Sequence, residues 1–181
     1  MDRKVIKQTN GLKNRRCEKE NHERLFNSGS IFLQQESFQE ALNCFQKAVR
    51  LKPDEEETYH ALGKVYERMG RNGSAKQMYK SVLKINPGHI ETLIRLAQIL
   101  EKEGDYYQAV KMYKRAIEIN PWAVAPRLGL ALLYDHYDMF DEAKETYEAL
   151  LEKEPFHQAA RYNLGRLLFQ LGEYPQPKGL G

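Results

Sequence analysis

At 181 residues, with 41% hydrophobic and 29% charged side chains, the chain has the composition of a helix-rich protein with much exposed surface. No apolar run approaches the roughly 20 residues a membrane-spanning helix needs. The net charge of +3 is uneven: residues 1–21 hold seven Lys/Arg against three Asp/Glu, leaving 21 basic and 22 acidic residues elsewhere.

Residues 1–21 carry only Val5, Ile6 and Leu12 as aliphatics and read as a solvated, flexible terminus. A basic segment of this kind also suits contact with nucleic acid or an acidic surface. It has no apolar core of a secretory signal, and Asp2 with its poor amphipathicity counts against a presequence. Cys17 and Cys44 form no spaced framework and read as free thiols. A cytoplasmic protein is the resulting expectation.

From His22 a repeat begins. Pro53, Pro87, Pro121 and Pro155 stand 34 residues apart, and self-similarity at such a period signals stacked units with no single globular core. The units are 22–55, 56–89, 90–123 and 124–157, followed by the first helix of an incomplete fifth at 158–171. Each complete unit reads as two amphipathic helices; Leu93, Leu96, Ala97 and Leu100 lie at i, i+3, i+4 and i+7. Gly29, Gly63, Ala97, Ala131 and Gly165 share one column, and Ala41, Ala75, Ala109 and Ala143 another. Small side chains there predict close helix crossings, with Phe45, Tyr79, Tyr113 and Tyr147 filling the space beside them. Gly70, Gly104 and Gly172, with Glu36 and Asp138 in the other units, occupy the turn column where a left-handed residue ends a helix. The recurring proline ends the second helix of each unit. Asn72 and Gly73 replace the aromatic seen as Phe38, Tyr106 and Phe140, so the second helix of that unit is expected to start late. Helices this short are marginal alone, so each must be stabilised by burying its small and aromatic columns against neighbours. After Leu171 the pattern breaks, and Pro175 and Pro177 begin a flexible Pro/Gly tail assigned to 172–181. Helix 158–171 keeps Leu164, Leu167, Leu168, Phe169 and Leu171, more apolar surface than one contact covers. Self-association through it, a partner there, or a longer parent array are the expectations that follow.

Leu62-Gly63 with Tyr66, then Ala75, Tyr79 and Pro87, resemble the tetratricopeptide repeat (TPR), and the columns hold over some 150 of the 181 residues. The resemblance implies an all-α, right-handed superhelical solenoid of antiparallel helix pairs whose first helices line a concave groove. It also implies a non-catalytic scaffold that binds a peptide or partner protein, without a cofactor. On the groove positions of the family stand His60 and Lys64, then Ile94, Arg95 and Gln98, then Leu128 and Leu132, and last Tyr162, Asn163 and Arg166. The fourth unit is apolar where the earlier ones are polar, predicting a hydrophobic floor flanked by Arg95 and Arg166 that accepts apolar anchors and one acidic group. Arg127 and Arg161 replace a bulky apolar residue, and their heads are expected to reach solvent or a ligand. The two-carboxylate clamp of chaperone-binding members is absent, since only Arg95 among Phe26, Ser30, Ala61, Glu91 and Arg95 agrees with it.

No HExxH, GxxxxGK[ST] or helix-opening GxGxxG occurs, and His60 and His136 stand two repeats apart, too far to share a metal, which predicts exposed groove histidines. The chain reads as no enzyme. A regulatory array shortened from a larger enzyme or multidomain protein, and an adaptor touching nucleic acid or an acidic surface through its basic N-terminus, are the alternative readings.

Overall fold

Amphipathic spacing and recurring stop signals produce helices throughout the described part of the chain. The computed structural model describes residues 21–173, so the expectations for the basic N-terminal segment, Cys17 and the stretch from residue 174 lie outside the described residues. Among the described residues the elements are nine helices and no strand: α1 (21–34), α2 (Phe38–Leu51), α3 (Glu56–Arg68), α4 (Asn72–Ile85), α5 (Ile90–Lys102), α6 (Tyr106–Ile119), α7 (Val124–His136), α8 (Phe140–Lys153) and α9 (Gln158–Leu171).

The turn that closes each odd-numbered helix is the same. Glu36, Gly70, Gly104, Asp138 and Gly172 all have positive φ, between 57° and 77°. The following N–H then reaches back across the last helical turn, as Arg71 does to the Tyr66 carbonyl at 2.9 Å and Met139 to that of Tyr134 at 2.9 Å. These bonds satisfy carbonyls that the helix end leaves open. The even helices stop differently. Lys52, Asn86, Asn120 and Glu154 leave helical geometry because each precedes a proline. Contrary to expectation, α4 starts on time at Asn72. Its buried Ala75, Tyr79 and Val82 anchor it to α3 without an aromatic in the first turn, and Gly73 faces open space.

The chain divides into two compact units, residues 1–92 and 93–181, with the boundary inside α5. In the first unit the core joins Ala41, Leu42 and Phe45 of α2 with Ala61, Leu62 and Val65 of α3. Gly29 brings α1 against α2: a Cβ there would stand 2.8 Å from Phe45 Cε1. Gly63 does the same for α3 and α4, where an added Cβ would overlap the Tyr79 ring. The second unit is centred on Ala97, Ala109, Tyr113, Ala131, Ala143, Tyr147 and Leu167. Its close approach at Gly129 is taken up by Tyr113, 2.6 Å from the position of an added Cβ.

Two buried histidines link helices in the first unit. His22 Nε2 lies 3.1 Å from Thr58 Oγ1, and His60 Nδ1 lies 2.8 Å from Thr92 Oγ1. His60 is therefore not the exposed groove histidine expected from the sequence: its ring packs 5.5 Å from Tyr79 and 4.9 Å from His89. His136, by contrast, is exposed. Burial holds the pKa of His60 below its ordinary 6.5, with the charge and hydrogen-bonding tendency of Glu91 opposing and His89 and Lys64 adding to the depression. His22 shifts the same way, again chiefly through burial.

Two predictions follow from these contacts. Gly63→Ala lowers stability by about 1–3 kcal/mol through overpacking against Tyr79, whereas Gly73→Ala raises it by up to about 1 kcal/mol; chemical denaturation of both variants checks the contrast. For the histidines, above pH 6.5 the ring is neutral in the folded and unfolded chain alike. Below it the unfolded chain binds a proton that the folded ring refuses, so stability falls until the folded pKa is reached. The urea midpoint accordingly drops as the pH falls below about 6.5, and His60→Gln makes that drop shallower; an unchanged slope in this variant refutes the assignment.

Candidate functional site

The site residues expected from the sequence fall in both units. His60 and Lys64 stand one turn apart on α3, His60 buried and Lys64 half-buried. The other eight belong to the second unit. There α5 carries Ile94, Arg95 and Gln98, all half-buried, and Ile94 packs on the core. On α7, Leu128 also packs on that core, and Gly129 is closed by Tyr113. Leu132 is 40% exposed. The apolar strip of the fourth unit therefore divides: Leu128 turns to the interior, and Leu132 remains at the surface. On α9, Tyr162 is 72% exposed, and Asn163 donates its side-chain amide to the Ala159 carbonyl at 2.8 Å.

Leu132 and Arg166 are brought together. They line a cleft of about 450 Å³ with Glu101, Asp135, His136, Asp138, Phe140 and Gln170. Helices α5, α7, α8 and α9 supply its walls, and the left-handed residue Asp138 after α7 joins the lining. Arg166 is not an open cationic flank. Its guanidinium is paired with Asp135, whose side chain is 7% exposed against 45% for Arg166. With that pair internally balanced, Glu101 and Asp138 give the cleft an acidic character. Asp135 also contributes to the raised pKa of the Tyr147 phenol, behind the larger effect of burial.

Arg127 departs from expectation as well. Its guanidinium folds back and donates to the Pro121 carbonyl at 2.9 Å, so it braces the start of α7 instead of extending outward. Arg161 is exposed, as expected. The Asp135–Arg166 pairing was missed in the sequence because the residues lie 31 positions apart. Their opposite charges on successive first helices are the signal that finds it. Among the described residues no group of three or more His, Cys, Asp or Glu is arranged to hold a metal, and no helix is long and apolar enough to cross a membrane.

Comparison with known proteins supplies the family. A TPR repeat profile matches residues 29–70, and two tetratricopeptide repeat profiles match 56–99 and 100–157. No curated protein matches the sequence. Among solved structures, MamA is similar at 23% identity and a TM-score of 0.75, over 85% of this chain and 84% of that one. A tetratricopeptide repeat protein from Parabacteroides merdae is similar at 24% identity and a TM-score of 0.73, over 84% of this chain and 59% of that one. YrrB, a TPR protein with an unusual peptide-binding site, is similar at 23% identity and a TM-score of 0.67, over 82% and 77%. At these identities the structures share the fold. Since the three profile matches together run from residue 29 to 157 on a chain of stacked helix pairs with the same turn closing each unit, this protein belongs to the tetratricopeptide repeat family.

Proposed function

We propose that the chain is a non-catalytic interaction scaffold whose second unit seats a segment of a partner protein in the cleft beside Leu132. The observation that carries this reading is the composition of that cleft. Leu132 and Phe140 offer apolar surface, Glu101 and Asp138 offer carboxylates, and Arg166 is already neutralised by Asp135. Such a lining favours a segment with an apolar anchor next to a basic or amide group. This revises the acidic ligand expected from Arg95 and Arg166: an acidic group would have to displace Asp135 from Arg166 and leave a largely buried carboxylate without its partner, which is costly. The peptide-binding site of the structurally similar YrrB supports a peptide as the class of ligand. Helix and groove recognition of this kind rests on a few anchors.

The test is fluorescence anisotropy with two labelled peptide sets, each with a central Leu or Phe flanked by Lys in one set and by Glu in the other. The Lys set binds more tightly, and the preference weakens with salt. Leu132→Asp lowers its affinity about tenfold or more, and Glu101→Lys narrows the difference between the sets. Equal binding of the two sets, or full binding by a folded Leu132→Asp variant, overturns the proposal.

A further inference from the structure

A second cavity, of about 460 Å³, lies in the second unit among α6, α7 and α8, and it shares no lining residue with the cleft beside Leu132. Ile117, Leu130 and Ala149 form its apolar wall. Two further lining residues, Arg127 and Thr146, depart from their columns. In the first three repeats the column of Arg127 holds Leu25, Tyr59 and Leu93, and that of Thr146 holds Cys44, Met78 and Met112. Leu93 is fully buried, and Met78 and Met112 pack on the cores of the first and second units. In the fourth repeat both side chains are polar and turn to the backbone instead. Arg127 Nη2 donates to the Pro121 carbonyl at 2.9 Å, and Thr146 Oγ1 donates to that of Glu142 at 2.6 Å. Space that bulky side chains take up in the earlier repeats is therefore accessible here to a group from outside, and its volume lies within the range of ligand pockets.

The lining defines that group. The apolar wall calls for an apolar body, and the chain's own residue at this place two repeats earlier is a ring, Tyr59. The charges around the cavity, Lys114 and Arg127 against Glu118 and Glu145, cancel, so a neutral group fits best. One donor is left over: Arg127 Nη1 is buried and has no hydrogen-bond partner, which is costly for a charged side chain. A phenol combines a flat apolar body, neutrality and an acceptor oxygen. We propose that this cavity receives the tyrosine side chain of a partner protein. A phenylalanine leaves the guanidinium nitrogen unmatched, and a carboxylate is repelled by Glu118 and Glu145. Within a polypeptide the tyrosine is flanked by neutral amides, whereas free tyrosine brings an ammonium and a carboxylate whose desolvation opposes binding.

The full chain, labelled with nitrogen-15, is titrated with N-acetyl-tyrosine amide, N-acetyl-phenylalanine amide and free tyrosine at matched concentrations, and followed by two-dimensional NMR. The tyrosine amide binds with Kd on the order of 1 mM and shifts the amide signals of Ile117, Leu130 and Ala149. The phenylalanine amide and free tyrosine bind several-fold more weakly, and a short uncharged peptide with a central tyrosine binds more tightly than the amide. Arg127→Ala removes the preference for tyrosine over phenylalanine while binding of the phenylalanine amide persists. The double variant Arg127→Tyr, Thr146→Met carries the residues of the second repeat at these places; it fills the cavity and weakens binding about tenfold or more. Far-UV circular dichroism establishes that each variant is folded. The absence of a saturable shift, shifts confined to other residues, equal binding of the two blocked amides, or undiminished binding by the folded double variant overturns the proposal. An unchanged tyrosine preference in Arg127→Ala overturns it equally, and tighter binding of free tyrosine than of the blocked amide refutes a partner protein as the source.

Discussion

The structure depends on one steric constraint: a first helix must present almost no side chain where the aromatic ring of the following helix crosses it. At Gly29 and Gly63 the Phe45 and Tyr79 rings occupy the space a Cβ would need. The matching alanines on the second helices, Ala41, Ala75, Ala109 and Ala143, are fully buried. Two helix backbones brought this close bury both of their apolar stripes, and that burial stabilises helices too short to persist alone. The left-handed turns serve the same end. By reversing the chain within three residues, they deliver the ring to the glycine at the right height.

This constraint accounts for two departures from local expectation. Helix α4 lacks an aromatic in its first turn, yet it begins in phase with its counterparts, because Tyr79 on Gly63 and the bond from Arg71 to Tyr66 set its position. Glu36 and Asp138 accept a backbone conformation that glycine adopts more readily, since the turn geometry is imposed by the packing on either side of it. Packing between helices decides both outcomes, and local propensity yields.

The helices and their stops were legible in the sequence because each is written by a short-range signal repeated at a fixed interval. The 34-residue proline period marks the ends of the second helices, and the turn column marks the ends of the first, even where Glu36 and Asp138 stand in for glycine. The site was less legible. Leu128 and Leu132 lie four residues apart on α7 and look alike in the sequence, but Leu128 packs on the core and Leu132 lines the cleft. Which of two neighbouring apolar residues stays exposed depends on the tilt of the helix against its neighbours, and a periodic pattern does not encode tilt. Arg166 was read as an available cation for the same reason: its partner Asp135 is distant in sequence and adjacent only after α7 and α9 pack. His60 likewise sits at a position associated with the groove, yet the space beside Tyr79 and the Thr92 hydroxyl draw it inward.

Repetition also decides where new chemistry can arise. A residue that faces the next helix is bound by the requirement for small or aromatic side chains, so it carries little freedom to vary. Positions away from those crossings are released from that requirement, and there the chain departs from its own pattern: the acidic cleft at Glu101 and Asp138, and the Asp135–Arg166 pair that joins α7 to α9.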